Sequence, residues 1–262
     1  MKRSIDIFTT VGDGSIEYSA LLRESMLRFT SGKFDLRFKC LSNAEADASG
    51  WVTVMKQRSW ADICSFKASG SYIHGLMLNE ISKFIDADMF IIADADTAVI
   101  SPNWDDSLSE LLGGKISITG AASSRKNSRY RNFPCAIFMM GITSVFLKVK
   151  PNFLPALDKS PKRSLLKKKI RNDSESRLWG LPRRASFNCD TGWELPQSYN
   201  DHGARGSFVE HEDNLNRKPI HSEFESWYLK DTPIISHAGG SRTKNVDKYK
   251  AWENFVRKKI DA

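Results

Sequence analysis

An α/β fold, with a mixed but mostly parallel sheet flanked by helices in a single domain, is what this sequence predicts. Three observations carry that expectation. Strand-like and helix-like stretches alternate through residues 1–122. The run Met89, Phe90, Ile91 and Ile92 is apolar without a break and calls for a dry interior. No internal repeat and no linker rich in Pro, Gly or Ser divides the 262 residues.

The elements follow in order. "SIDIFTT" (Ser4–Thr10) is a β-branched run that ends in the turn signal "VGDGS". "IEYSALLRESMLRFTSG" sets Ile16, Leu21, Leu22, Ser25, Met26 and Phe29 at helical spacing, with Gly32 placed to cap the carboxyl end. "DLRFKCLS" alternates Leu36, Phe38 and Cys40 with charged neighbours, as a half-buried strand does. The stretch through Trp51 and Trp60 has no regular pattern. "SYIHGLMLNEISKFI" turns Ile73, Leu76, Met77, Ile81, Phe84 and Ile85 to one side of a second helix, and "ADMFIIADADTAVISP" carries the apolar strand into Asp94 and Asp96. "SPNWDDSLSELLGG" reads as a helix capped by Ser101 with Pro102 at its first position, and "KISITGAAS" as a strand. Helices between strands require crossover connections, hence parallel pairing. Beyond Asn132 the alternation breaks. "PCAIFMMGITSVFLKV" is strand-like, "GSFVEH" and "PIISHAGG" are short strand-like runs, and Val246–Ile260 is a closing amphipathic helix.

Composition narrows the function classes. A hydrophobic share of 40% and a charged share of 27% belong to an ordinary globular chain. No apolar run reaches the roughly 18–20 residues that span a bilayer, and "MKRSIDIFTTVGDG" lacks the apolar core of a signal peptide. Cys40, Cys64, Cys135 and Cys189 are scattered without a C-x-x-C pair, which speaks against a zinc knuckle and fits a reducing, cytoplasmic setting. The net charge of +8 invites anionic partners, and it gathers in "SSRKNSRYRN" (123–132) and "SPKRSLLKKKIRN" (160–172). Neither stretch carries interleaved aromatics, so nucleic acid is not the expected partner. Solvated loops, or loops that touch an anionic membrane surface, are the expectation.

In a parallel sheet covered by helices, ligands gather beyond the carboxyl ends of the strands, which is where Asp94 and Asp96 fall. On an extended backbone, residues two apart face the same side, and Ala95 between them leaves the approach open. Paired carboxylates suit Mg²⁺ or Mn²⁺, and such a cation grips a diphosphate. The competing reading makes them a loop pair ahead of the helix at Pro102.

"DMFIIADADTAVISPNWDD" resembles the D-x-D segment of GT-A fold (Rossmann-like) nucleotide-sugar glycosyltransferases, especially those similar to glycosyltransferase family 2. The resemblance extends to "SIDIFTT", "CDTGWELPQSYNDHG" and "SHAGGSR". It implies a nucleotide-sugar-binding half near 1–122 and an acceptor-binding half near 123–262. Asp94 and Ala95 would meet the ribose or donor sugar, and Asp94, Asp96 and His237 would hold the metal, with an imidazole favouring Mn²⁺ over Mg²⁺. Thr9, Thr10 and Val11 would leave the first strand at the nucleoside, where Asp13 reads as nucleoside contact or turn residue. Ser71 and His74 would open a helix toward the diphosphate, and Gly239, Gly240, Ser241 and Arg242 would line its oxygens. Asp190 is the candidate base for an inverting transfer to a glycan or other hydroxyl acceptor, although Cys189 stands where members carry a second acidic residue. Glu194 is the reserve, and a helix cap is the other reading of Asp190. Trp179, Trp193 and Trp227 read as core or as platforms for an acceptor sugar.

Three rivals stand beside an inverting transferase. The first is a retaining enzyme similar to family 8, which "DADT" followed by "HAGGSR" also resembles. A nucleotidyltransferase would need basic residues directly after the first strand, where "TTVGDGSIEYS" has none. A non-enzymatic basic module would bind anionic surfaces in a salt-dependent way without Asp94 and Asp96.

Overall fold

The computed structural model describes residues 2–42, 44–56, 70–123, 133–155, 191–192, 194–215, 217, 220–221, 223–239 and 246–262. Its centre is a seven-stranded sheet in the order β3-β2-β1-β4-β7-β6-β8. The strands are β1 (Arg3–Val11), β2 (Phe34–Ser42), β3 (Val52–Lys56), β4 (Met89–Ala93), β6 (Ile116–Ala122), β7 (Pro134–Ile142) and β8 (Arg205–Gly206). Pairing is parallel for β1 with β2, β1 with β4, β2 with β3 and β6 with β8. Only β7, between β4 and β6, runs against its neighbours. A second, antiparallel sheet of four strands has the order β5-β11-β10-β9, with β5 (Thr97–Val99), β9 (Glu210–His211), β10 (Glu225–Leu229) and β11 (Thr232–His237). The fold is therefore α/β with a mixed, mostly parallel central sheet and helices on both faces, as the alternation of elements predicts.

The unbroken apolar run of β4 follows from this position. Met89, Ile91 and Ala93 face one core with Leu22 and Met26 of α1 (Ile16–Phe29) and with Trp104. Phe90 and Ile92 face the other core, with Met77 and Leu78 of α2 (Gly70–Glu80), Phe146 and Phe153. Each such side chain contributes about 1.5–3 kcal/mol by leaving water. A central strand covered on both faces has no side to spare for polar residues.

Several details depart from the sequence expectation. α1 ends at Phe29 with Thr30 already extended, so Gly32 is not its cap. Asp105 holds that corner instead, accepting from Thr30 Oγ1 at 2.6 Å and from the Ser31 N–H at 2.8 Å. The next helix, α3 (Trp104–Ser109), starts after Asn103 in a left-handed conformation, not at Ser101 and Pro102. The cause is pairing with the second sheet. The Ile100 N–H donates to Ile234 O at 2.9 Å, and the Ser101 hydroxyl donates to Pro233 O, so the chain is still tied to the second sheet there. "PCAIFMMGITSVFLKV" is strand only to Ile142 and continues as α4 (Thr143–Val149). "GSFVEH" divides between β8 and β9, and β3 and β10 arise where no strand is expected. The closing helices are α5 (Leu195–Asp201) and α6 (Val246–Asp261). Among the described residues no helix is long and apolar enough to cross a membrane.

Candidate metal centre

β4 delivers Asp94 to the carboxyl edge of the sheet, but the backbone then turns. The Thr97 N–H donates to Asp94 O at 3.0 Å, which closes a tight turn over Asp94–Thr97. The extended geometry expected from residues two apart is thus replaced. The reason is topological, because β4 belongs to the large sheet and β5 to the small one, and the chain must change direction between them. Main-chain bonds fix the turn at both ends: Asp94 N–H to Ile137 O at 2.9 Å, and Ala238 N–H to Asp96 O at 3.0 Å.

β11 pairs with β5 and sets His237 opposite Thr97. His237 Nε2 then lies 3.4 Å from Asp96 Oδ1 and 4.0 Å from Asp94 Oδ2. One ligand atom from each of Asp94, Asp96 and His237 falls within 4.8 Å of the others, and His237 is buried. A small hard cation holds its ligand atoms about 3–4 Å apart, given metal–oxygen bonds of about 2.1 Å. Two carboxylate oxygens and an imidazole nitrogen therefore fit Mn²⁺, with Mg²⁺ second because nitrogen suits it less.

Three further side chains surround this cluster, two in contact with it and one behind. Tyr249 of α6 donates its hydroxyl to Asp96 Oδ2 at 2.6 Å, which leaves Oδ1 toward His237. Glu225 Oε2 lies 3.3 Å from His237 Nδ1, leaving Nε2 toward the two aspartates. On the far side of Glu225, His211 Nε2 is 3.8 Å from Oε1, an electrostatic contact rather than a formed hydrogen bond. Burial alone pushes the His237 imidazole down, but Asp96, Glu225 and Asp94 together outweigh it and raise its pKa to about 10. Burial also raises Glu225, yet the flanking imidazoles of His211 and His237 hold it below the usual carboxylate range. A proton on His237 thus occupies the electrostatic role that a cation would take over.

The other expected site residues are distributed as follows. His74 stands on α2 with Nε2 3.4 Å from Asp94 Oδ1. That approach depends on Gly75, because a Cβ there would lie 2.6 Å from Phe153 O and push the helix away. Ser71 lies in the first turn of α2. Thr9 and Val11 are buried in β1 and Thr10 is half-buried between them, while Ala95 is buried within the turn. Gly239 follows the metal cluster in a left-handed conformation, φ 62°. Glu194 accepts from Asn152 Nδ2 at 3.2 Å. Trp227 is core, donating from its indole to Ala122 O at 2.6 Å and packing edge-on against His211. Asp190, Gly240, Ser241, Arg242, Trp179 and Trp193 lie outside the described residues, as do most of the two basic stretches. Glu225, His211 and Tyr249 escape the sequence reading. His211 and Glu225 leave only the trace of a histidine and acidic residues near the chain's end, and Tyr249 falls in a helix that reads as amphipathic.

No protein-family model matches the chain, and no curated protein matches it. Solved structures similar to it include the apo form of the glycosyltransferase GlyE of Streptococcus pneumoniae TIGR4, at 14% identity and a TM-score of 0.41, covering 79% of this chain and 45% of that one. A second is the mannosyltransferase PcManGT of Pyrobaculum calidifontis in complex with GDP-Man and Mn²⁺, at 9% and 0.39, covering 58% and 48%. A third is a glycosyltransferase involved in glycosylation of the major capsid of PBCV-1, at 9% and 0.43, covering 95% and 98%. The chain thus spans about half the length of the first two. All three likenesses are distant.

Proposed function

We propose that this chain is a metal-dependent, GT-A type glycosyltransferase that moves a sugar from a nucleotide-diphosphate donor to a glycan or other hydroxyl acceptor. The observation that carries the reading is the convergence of Asp94, Asp96 and His237 at the carboxyl edge of the central strand. The fold alone hosts many chemistries. A cation bound by these three residues would neutralise the leaving diphosphate as a Lewis acid. Asp94 and Asp96 would fix its position, and His237 would complete the set from the second sheet. His74, beside Asp94 on α2, is assigned to the donor's phosphates together with Ser71 and Arg242, and Ala95 with Asp94 to the ribose or donor sugar. Thr10 is assigned to the nucleoside by side chain, and the buried Thr9 and Val11 by main chain. One domain would serve both partners, with the donor held mainly by 1–122, the acceptor by 123–262, and the basic stretches 123–132 and 160–172 meeting anionic surfaces in the cytoplasm.

An inverting course similar to family 2 assigns proton removal from the acceptor hydroxyl to Asp190. A retaining course similar to family 8 is the second reading, and the Asp94, Asp96 and His237 cluster would serve either course. The product anomer, read by NMR, separates the two, and unchanged turnover in Asp190→Asn removes the base assignment.

The decisive experiment screens UDP-, GDP- and dTDP-sugars for hydrolysis and transfer with Mn²⁺, in wild type and in Asp96→Ala. Loss of at least about 10²–10³ in turnover is expected for the variant, as when a main electrostatic stabiliser is removed, with its circular dichroism unchanged. Full activity in Asp96→Ala, or in excess chelator, overturns the proposal.

A further inference from the structure

We propose that Glu225 is a positioning residue for the metal centre, holding His237 in the one ring orientation that can ligate. This rests on the metal reading above. The antiparallel register makes Glu225 the direct partner of His237 across β10 and β11, and Trp227 the direct partner of His211 across β10 and β9. Glu225 and Trp227 are two apart on β10, so they share a face. The Glu225 carboxylate therefore sits between the two imidazoles, with Oε2 toward His237 Nδ1 and Oε1 toward His211 Nε2.

His211 is in turn fixed, because its Nδ1 accepts the Asp213 N–H at 3.1 Å. That bond leaves the Nε2 hydrogen to face Glu225. Trp227 packs edge-on against the same ring, with centroids 5.1 Å apart, and closes the far side. The space beside the carboxylate belongs to Gly239, where a Cβ would stand 3.4 Å from both Glu225 Oε2 and His237 Nδ1. Glu225 thus has a bonded partner toward the ligand and a rigid backing behind it.

The chemical consequence concerns the two nitrogens of His237. Only the nitrogen facing Asp94 and Asp96 can join them around a cation. A carboxylate on Nδ1 keeps the hydrogen there and makes Nε2 the lone-pair nitrogen, while raising its basicity. Without Glu225, the ring can rotate, or place its hydrogen on Nε2, and meet the cation with the wrong atom.

The test measures Mn²⁺ affinity by EPR of the free ion, using the full chain as wild type, Asp96→Ala, Glu225→Ala and Glu225→Gln. Loss of an outer partner typically weakens metal affinity about 10–100-fold, and that is expected for Glu225→Ala. Glu225→Gln retains an oxygen to accept the Nδ1 hydrogen and should recover part of the loss, which a purely structural defect would not allow. The Gln side chain is nearly isosteric, so it also reports if the Ala variant fails to fold. Wild-type affinity in both Glu225 variants, with binding lost in Asp96→Ala, overturns this inference and leaves the metal reading standing. Absence of Mn²⁺ binding in wild type overturns both.

Discussion

At the amino end of β4, Asp6 is wholly buried and accepts from the Lys39 ammonium at 2.9 Å and from the N–H groups of Asp86 and Ala87 at 2.8 and 3.2 Å. At the carboxyl end of the same strand, Asp94 and Asp96 face an imidazole. Both clusters bring carboxylates out of bulk water, which is costly without a countercharge. The lower one is closed by an ammonium from the neighbouring strand β2, also bonded to Phe84 O and Asp86. The upper one is closed by a group that can give up its proton. A fixed countercharge makes a structural staple, and an exchangeable one leaves room for a cation. The difference between the two ends lies in the partner, since the acidic residues are of the same kind.

The comparison breaks if the two ends respond alike to mutation. Asp6→Asn removes the charge that Lys39 and two main-chain donors share, and should cost about 2–4 kcal/mol. Urea unfolding should show that loss while Mn²⁺ affinity stays at the wild-type value. A parallel fall in metal affinity would mean that the two ends are not independent.

A second, intermediate effect is pH dependence of the metal-free protein. His237 is raised from 6.5 to about 10, so its contribution is complete below pH 6.5 and is lost as pH climbs toward 10. Burial foremost raises Glu212, beside His211, from 4.5 to about 7, so stability is lost across that window too. Glu225 is lowered, and its contribution is already complete above its unfolded value of 4.5. The melting temperature in chelator should therefore fall steadily from about pH 5 to pH 10. Mn²⁺ should flatten the alkaline limb, because ligation requires the deprotonated imidazole. Glu212→Gln should remove the acidic limb and His237→Gln the alkaline one. A rising curve in chelator would reverse the assignment.

The smallest expected effect is at Tyr249. Tyr249→Phe deletes one hydrogen bond to Asp96 and should weaken Mn²⁺ binding by about 0.5–1.5 kcal/mol, severalfold in affinity. Calorimetric titration at fixed pH would resolve that. No change would show that Tyr249 does not set the position of Asp96.

What could be seen in the sequence follows from how locally each feature is encoded. β4 and its acidic exit are legible because an apolar run ending in charge is a one-dimensional pattern. His237 is legible only through the resemblance that "SHAGGSR" carries. The turn at Asp94–Asp96 is not, because its cause is the departure of β5 to another sheet, which β11 supplies from more than a hundred residues downstream. Tyr249 is separated from Asp96 by 153 positions, and its place on the inner face of an amphipathic helix reads only as core. The reversed direction of β7 is equally hidden, since a buried strand has the same composition in either orientation. A candidate metal cluster can thus be expected from residue type and spacing, whereas the groups placed to aim it come from tertiary pairing.

The placement of the turn between the two sheets carries one more consequence. Asp94 closes the larger sheet's central strand, His237 closes a strand of the smaller sheet, and Tyr249 reaches in from the last helix, so an ion seated among them would bolt three layers of the molecule together. It would add one more tie to a seam that Val99, Trp227 and Ile235 already hold by sharing a core with Ile7 and Met89.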